Sequence, residues 1–219
     1  MNVLDIFFAP SKYFSALKEK PKWLIPLIVI IIASVIASVV VISTFSPEKQ
    51  LEQLRERNLT PEQFEQAQKM IGSPVVLISG IVSSIVITPI MFLLISLIFN
   101  FTLPLLGITS KYLMTFSIVV GSALVTIPQM LIRIILTLVT GSPLVQTSFA
   151  LFFPMLSKNT YLYRLLSKFD FFTIWQMILL ALGLKIIYAI SGKKSYYLVF
   201  GLWLLFAIIT SIFGMRGQA

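Results

Sequence analysis

Asp170-Phe171-Phe172-Thr173-Ile174-Trp175-Gln176-Met177-Ile178-Leu179-Leu180-Ala181-Leu182-Gly183 is the stretch whose reading decides the fold. A single acid, Asp170, closes a basic, half-polar segment, and the chain then stays almost wholly apolar to Ser191. At about 1.5 Å of rise per residue, residues 171–191 cross the ~30 Å hydrocarbon layer of a bilayer as one helix. Comparable apolar runs occupy residues 23–44, 75–100, 112–140 and 197–213. The chain therefore reads as an all-α integral membrane protein with five transmembrane helices, organised as one membrane domain over residues 1–219.

Composition supports lipid as the solvent. Charged residues make up 11% of the 219, against about 25% in soluble domains. Five spans leave no room for a separate soluble catalytic domain. Cysteine and histidine are both absent, which removes disulfides, a thiol nucleophile, the commonest metal ligand and the usual proton shuttle. No P-loop, zinc-binding His-Glu helix or nucleophile elbow is present. Catalytic residues, cofactors and metal ligands are accordingly not expected. The formal charge of +9 sits mostly beside apolar runs, which suits the bilayer and its anionic headgroups; no nucleic-acid motif accompanies it.

The segments between spans have distinct characters. Residues 1–22 form a leader in which Leu4, Phe7, Phe8, Phe14 and Leu17 recur near helical spacing among Lys12, Lys18, Lys20 and Lys22. The expectation is an amphipathic in-plane helix from Lys12 to about Glu19, capped by Ser11, with its apolar face in lipid. It does not read as a cleaved signal. Residues 46–72 form a polar insert in which Ser46-Pro47-Glu48 and Thr60-Pro61-Glu62 each resemble a helix start. The expectation is a small extramembrane helical hairpin. It carries Glu48, Glu52, Glu56, Glu62 and Glu65, interleaved with Lys49, Arg55, Arg57 and Lys69, a solvated charge pattern in place of a carboxylate site. Gly141-Ser142-Pro143 is expected to turn. Residues 144–156, broken by Pro154, are too short to span and should be interfacial or re-entrant. Residues 161–169 read as a second in-plane helix, with Leu162, Leu165, Leu166 and Phe169 towards lipid. Lys193 and Lys194 should form a charged turn before the last span.

Counting Lys and Arg on each side gives totals that nearly balance, but the basic leader and the Lys193-Lys194 turn favour a cytoplasmic N-terminus and an outside C-terminus. The expected location is the cell (inner or plasma) membrane.

The polar groups within spans are the candidate functional residues. Pro89 frees the carbonyl of Ile85, with Ser84 and Thr88 placed to repair it. Gly80 and Ser84 are a small-residue pair for close helix contact. In the third span Ser122, Thr126, Gln129, Arg133, Thr137 and Thr140 share one helical face, and Pro128 frees the carbonyl of Leu124. Arg133 and Asp170 approach the same side under five-span topology and are expected to pair. Two readings stay open: a structural ion pair ordering the third and fourth spans, or an anion or headgroup site around Arg133, Gln129 and Gln176. Lys185, inside the fourth span, is expected to snorkel to the interface.

The pattern resembles the Yip1 family of five-span membrane proteins. Phe8-Ala9-Pro10-Ser11-Lys12-Tyr13-Phe14, Leu17 and Pro21-Lys22-Trp23-Leu24-Ile25-Pro26-Leu27 are similar to the start of its bacterial members. Asp170-Phe171-Phe172-Thr173-Ile174-Trp175 with Leu179, Leu180 and Gly183 is similar to their fourth-span signature. The resemblance implies five spans, a cytoplasmic N-terminus and no catalytic centre. It transfers no partner-binding residues. Two functions follow as expectations. The first is a non-enzymatic membrane scaffold or adaptor, binding a membrane-protein partner or a further copy of itself, with the residue 46–72 hairpin as contact surface. The second is a small transporter or lipid-handling protein using Thr88, Thr126, Gln129, Arg133 and Gln176.

Overall fold

A computed structural model of the protein describes residues 2–44, 46–55, 59–141, 147–157 and 160–216. Its described residues are helical throughout, apart from turns, a short 3-10 segment and one isolated bridge between Ser148 and Asp170. Five helices are long and apolar enough to cross a membrane: Leu24–Thr44, Pro74–Leu105, Tyr112–Thr140, Phe171–Tyr188 and Gly192–Ile212. The fold is divided into two compact units, and each is best understood by itself.

The first unit comprises residues 1–30, 89–126 and 146–219. It opens with α1 (Asp5–Phe8) and α2 (Pro10–Leu17). Pro10 occupies the first turn of α2, where its missing N–H would have no partner anyway; the cap position is Ala9, not Ser11. Much of the apolar face of this leader is buried against protein. Ile6, Tyr13, Phe14 and Leu17 are fully buried, and α2 packs on α8 (Tyr112–Ala123) and α11 (Phe171–Tyr188). Two glycines make the approach possible. A Cβ on Gly121 would lie 2.8 Å from the Tyr13 ring, and one on Gly183 would lie 2.8 Å from Phe14 and 2.5 Å from Ile118. The Phe7 ring meets Trp175 at 6.1 Å between centroids. From Gly183 to Trp175 is eight residues, so the leader follows α11 for about 12 Å. Leu4 and Phe8 remain exposed.

α11 also packs along α12 (Gly192–Arg216), which in turn carries α10 (Tyr161–Leu166). Phe169 sits edge-on against Trp203 at 4.9 Å, so this residue of the supposed second in-plane helix contacts protein. Trp23 likewise packs against Phe116. Lys193 and Lys194 lie in the first turn of α12 and not in a turn before it, because α11 ends early: Ala189 adopts a left-handed conformation, φ 51°. The Lys185 side chain lies beside Gly192. The segment expected to be interfacial or re-entrant is described only from residue 147. There a short 3-10 turn, Phe149–Phe152, leaves Phe149, Leu151, Phe152 and Met155 exposed; the Ser142-Pro143 turn and Lys158 lie outside the described residues.

The second unit comprises residues 31–88 and 127–145. It holds most of α3 (Leu24–Thr44), the hairpin of α4 (Pro47–Arg55) and α5 (Pro61–Met70), then α6 (Pro74–Val82) and nearly all of α9 (Thr126–Thr140). Both hairpin helices start at the prolines expected. Thr60 and Gln63 complete a reciprocal capping box on α5, which satisfies two otherwise unpaired N–H groups. Glu56 and Arg57 lie outside the described residues.

The span is distorted just before Pro89, but the Ser84 hydroxyl bonds to Gly80 O and not to the freed Ile85 carbonyl that it was expected to serve. A π-helical turn, Ser83–Ile87, links α6 to α7 (Thr88–Leu105). Ser84 Oγ donates to Gly80 O at 2.9 Å and lies 3.0 Å from Ser38 Oγ on α3. A Cβ on Gly80 would come within 2.6 Å of Ile42, so the Gly80/Ser84 pair does mark a close helix contact. Pro128 acts differently. The helix breaks at Leu124 and Val125, and Thr126 Oγ1 donates back to Ala123 O at 2.7 Å.

Candidate functional site

The residues singled out in the sequence divide between the two units. Thr126, Asp170 and Gln176 belong to the first; Thr88, Gln129 and Arg133 belong to the second. Each group is therefore described in its own surroundings.

Asp170 is buried, at 6% exposure, and caps α11. Its Oδ1 accepts from Phe172 N at 2.8 Å and from Thr173 N at 3.2 Å. Thr147 Oγ1 donates to Oδ2. The carboxylate thus satisfies two N–H groups that begin the helix, at the end where the helix dipole favours negative charge. Phe149 N also donates to Phe169 O at 2.8 Å, so the 3-10 segment is tied to α11 at this acid. Gln176, further along the same helix, is half-buried.

In the second unit Arg133 is exposed and Gln129 and Thr88 are half-buried. The polar face of the third span is not continuous, since the break at Leu124 and Val125 separates Ser122 from Thr126. Its members also differ chemically. Ser122 Oγ returns to Ile118 O at 2.8 Å and Thr140 Oγ1 to Leu136 O at 2.7 Å. Thr137 is fully buried, yet its Oγ1 has no hydrogen-bond partner among the described residues. In the same unit Ser34 Oγ donates to Met130 Sδ at 3.9 Å.

Two polar clusters escaped the sequence reading. Tyr188 Oη lies 2.7 Å from Thr115 Oγ1, donates to Lys111 O at 3.2 Å and accepts from Lys111 N at 3.3 Å. It ties the end of α11 to the start of α8. Nothing in local sequence signals a contact across 77 residues. The second cluster had a signal. Pro104 stands four residues after Asn100 and cannot donate to its carbonyl; Ser110 Oγ does so at 3.0 Å.

A model of the Yip1 domain matches residues 4–213, from the buried leader through the last long helix. The chain belongs to the Yip1 family. Comparison with curated proteins and with solved structures finds no match. As a Yip1-domain, multi-pass membrane protein it contacts the lipid bilayer through its long apolar helices.

Proposed function

We propose that this Yip1-family protein is a non-enzymatic membrane scaffold or adaptor that recruits a partner through the α4–α5 hairpin. The carrying observation is the hairpin itself. None of the α5 residues is buried, while its helix start carries a complete capping box. A helix so well terminated, with its polar surface left open, offers a defined contact face. Leu51, Leu54, Phe64 and Ala67 are half-buried, supplying a narrow apolar seam between the helices. In the proposed arrangement the protein lies in the cell membrane with its N-terminus in the cytoplasm and the hairpin and C-terminus outside.

The test replaces residues 46–72 with a Gly/Ser linker and compares both proteins by native mass spectrometry after gentle extraction. The expected result is a stoichiometric protein partner on the natural chain and none on the variant, with membrane insertion intact. An unchanged complex would contradict the adaptor reading.

The interrupted second and third spans support a rival reading as a small transporter or lipid-handling protein. Reconstituted vesicles would then show flux or lipid movement that falls with Arg133→Leu; activity equal to empty vesicles opposes this reading.

A further inference from the structure

Just before α11 lies an exposed apolar segment that belongs to none of the long helices. Residues 149–156 carry no charge. Phe149, Leu151, Phe152, Phe153 and Met155 are exposed, Phe152 at 75% and Met155 at 98%. The segment is nevertheless held in place. Ala150 is buried, Phe149 N donates to Phe169 O, and Ser148 forms a bridge with Asp170. Its backbone also closes on itself. Leu151 N donates to Ser148 O at 3.0 Å, Phe153 N to Ala150 O at 3.1 Å and Leu156 N to Phe153 O at 3.1 Å. Water makes such internal pairing optional, whereas lipid demands it.

The level of the segment follows from the register of α11 on α12. Three residues join these two packed helices, which run antiparallel. Ser195 Oγ donates to Ala181 O, and the Lys185 side chain lies against Gly192. Continued along both helices, this register sets Asp170 level with about Phe206. The apolar span of α12 runs on past that level to Ile212, with Ile209 and Ile212 exposed. Six residues separate Phe206 from Ile212, about 9 Å of rise. α11 therefore begins short of the level at which the apolar span of α12 ends, and the segment bonded to Asp170 fills the difference. Two contacts agree. Phe169 packs on Trp203, and α10 packs on both α12 and the 3-10 turn. The chain ahead of Asp170 thus lies against the apolar part of α12, continuous with its bilayer-facing surface.

We propose that residues 149–156 form a wedge in the membrane leaflet at this end of α11, with the exposed Phe149, Leu151, Phe152, Phe153 and Met155 against phospholipid acyl chains just beneath the headgroups. The occupant of this apolar face is lipid, because the face adjoins helices that themselves meet lipid, carries no charge and needs no water for its paired N–H groups. The proposal stands independently of the adaptor reading.

The chain has no cysteine, so a nitroxide can be attached to the full-length protein at Phe152→Cys or Met155→Cys. Each variant is reconstituted in vesicles of phosphatidylcholine and phosphatidylglycerol. Electron paramagnetic resonance then compares collisions of the label with molecular oxygen, which concentrates in lipid, and with a water-soluble nickel chelate. Ile209→Cys, on the exposed face of α12, is the lipid reference, and Lys193→Cys is the aqueous one. The oxygen-to-nickel ratio at both test positions should lie several-fold above that at Lys193 and follow that at Ile209. A nickel-dominated ratio like that of Lys193 would place the segment in water and overturn the proposal. Protection from both reagents would mean that a second copy or another protein covers the face, and would overturn it equally. Both replaced side chains are exposed, and either label alone decides the test if the other variant fails to insert.

Discussion

Asp170 is the residue at which sequence and structure meet most directly. Its isolation ahead of an apolar run is visible in the sequence and the two backbone N–H groups that it caps lie in its own helix, but Thr147, which also binds it, comes from a loop 23 residues away. Capping makes a sharp prediction. Asp170→Ala should cost about 1–2 kcal/mol of stability, whereas Asp170→Asn should lose little, because asparagine caps comparably. Thermal unfolding in detergent measures both. The charge exchange Arg133→Asp with Asp170→Arg addresses the pairing expected from the sequence, which requires the double variant to recover part of each single loss. Tyr13 gives a second residue-scale prediction. Its hydroxyl is enclosed without a hydrogen-bond partner among the described residues, and burial pushes its pKa upward, so the phenol stays neutral. Tyr13→Phe should be neutral or stabilising by up to about 1 kcal/mol, since a buried, unmet polar group disappears. A loss of stability would show that the hydroxyl has a partner. The spacing of Leu4 to Leu17 shows an apolar face, but whether that face meets lipid or protein turns on Gly121 and Gly183, whose role appears only when three helices come together.

At the scale of elements, helix starts were the most legible features. Pro47 and Pro61 each begin a helix behind a hydroxyl residue because proline pre-sets φ and lacks the N–H that the first turn cannot use. Helix ends were less legible. The left-handed Ala189 that stops α11 carries no glycine to announce it, and the α7 end passes through Pro104 before Gly107 turns it. The hairpin also has a pH signature. Its own backbone N–H and the Ser46 hydroxyl hold the Glu48 carboxyl below its usual range. A depressed folded-state pKa stabilises the helix above the unfolded value, and that contribution is lost as pH falls through the folded value. Helicity of α4 should therefore weaken below about pH 4, and Glu48→Gln should remove that part of the acid dependence; circular dichroism of the full chain against a hairpin-deleted one reports it. The leader is the other element open to test. Gly183→Leu places side-chain atoms where Phe14 and Ile118 lie and should cost about 1–3 kcal/mol, with the N-terminal residues becoming sensitive to protease.

For the whole molecule, five apolar runs gave five long helices because lipid leaves the backbone no alternative but internal hydrogen bonding. The candidate site was less legible. A helical wheel assumes one unbroken helix, and the break at Leu124 and Val125 removes that assumption from the polar face of the third span. The absence of cysteine makes topology directly measurable. Single cysteines at Glu62 and Lys193 should label from opposite sides of the membrane, Glu62 from outside in intact cells and Lys193 only after permeabilisation; labelling of both from one side would contradict the five-span arrangement. The adaptor account rests most directly on what touches the hairpin in the living membrane. A photo-reactive residue placed at Glu65 on α5, with one at Tyr197 on α12 as reference, should cross-link a discrete protein from Glu65 alone. Lipid adducts from both positions and no protein from Glu65, with the chain normally inserted, would contradict it.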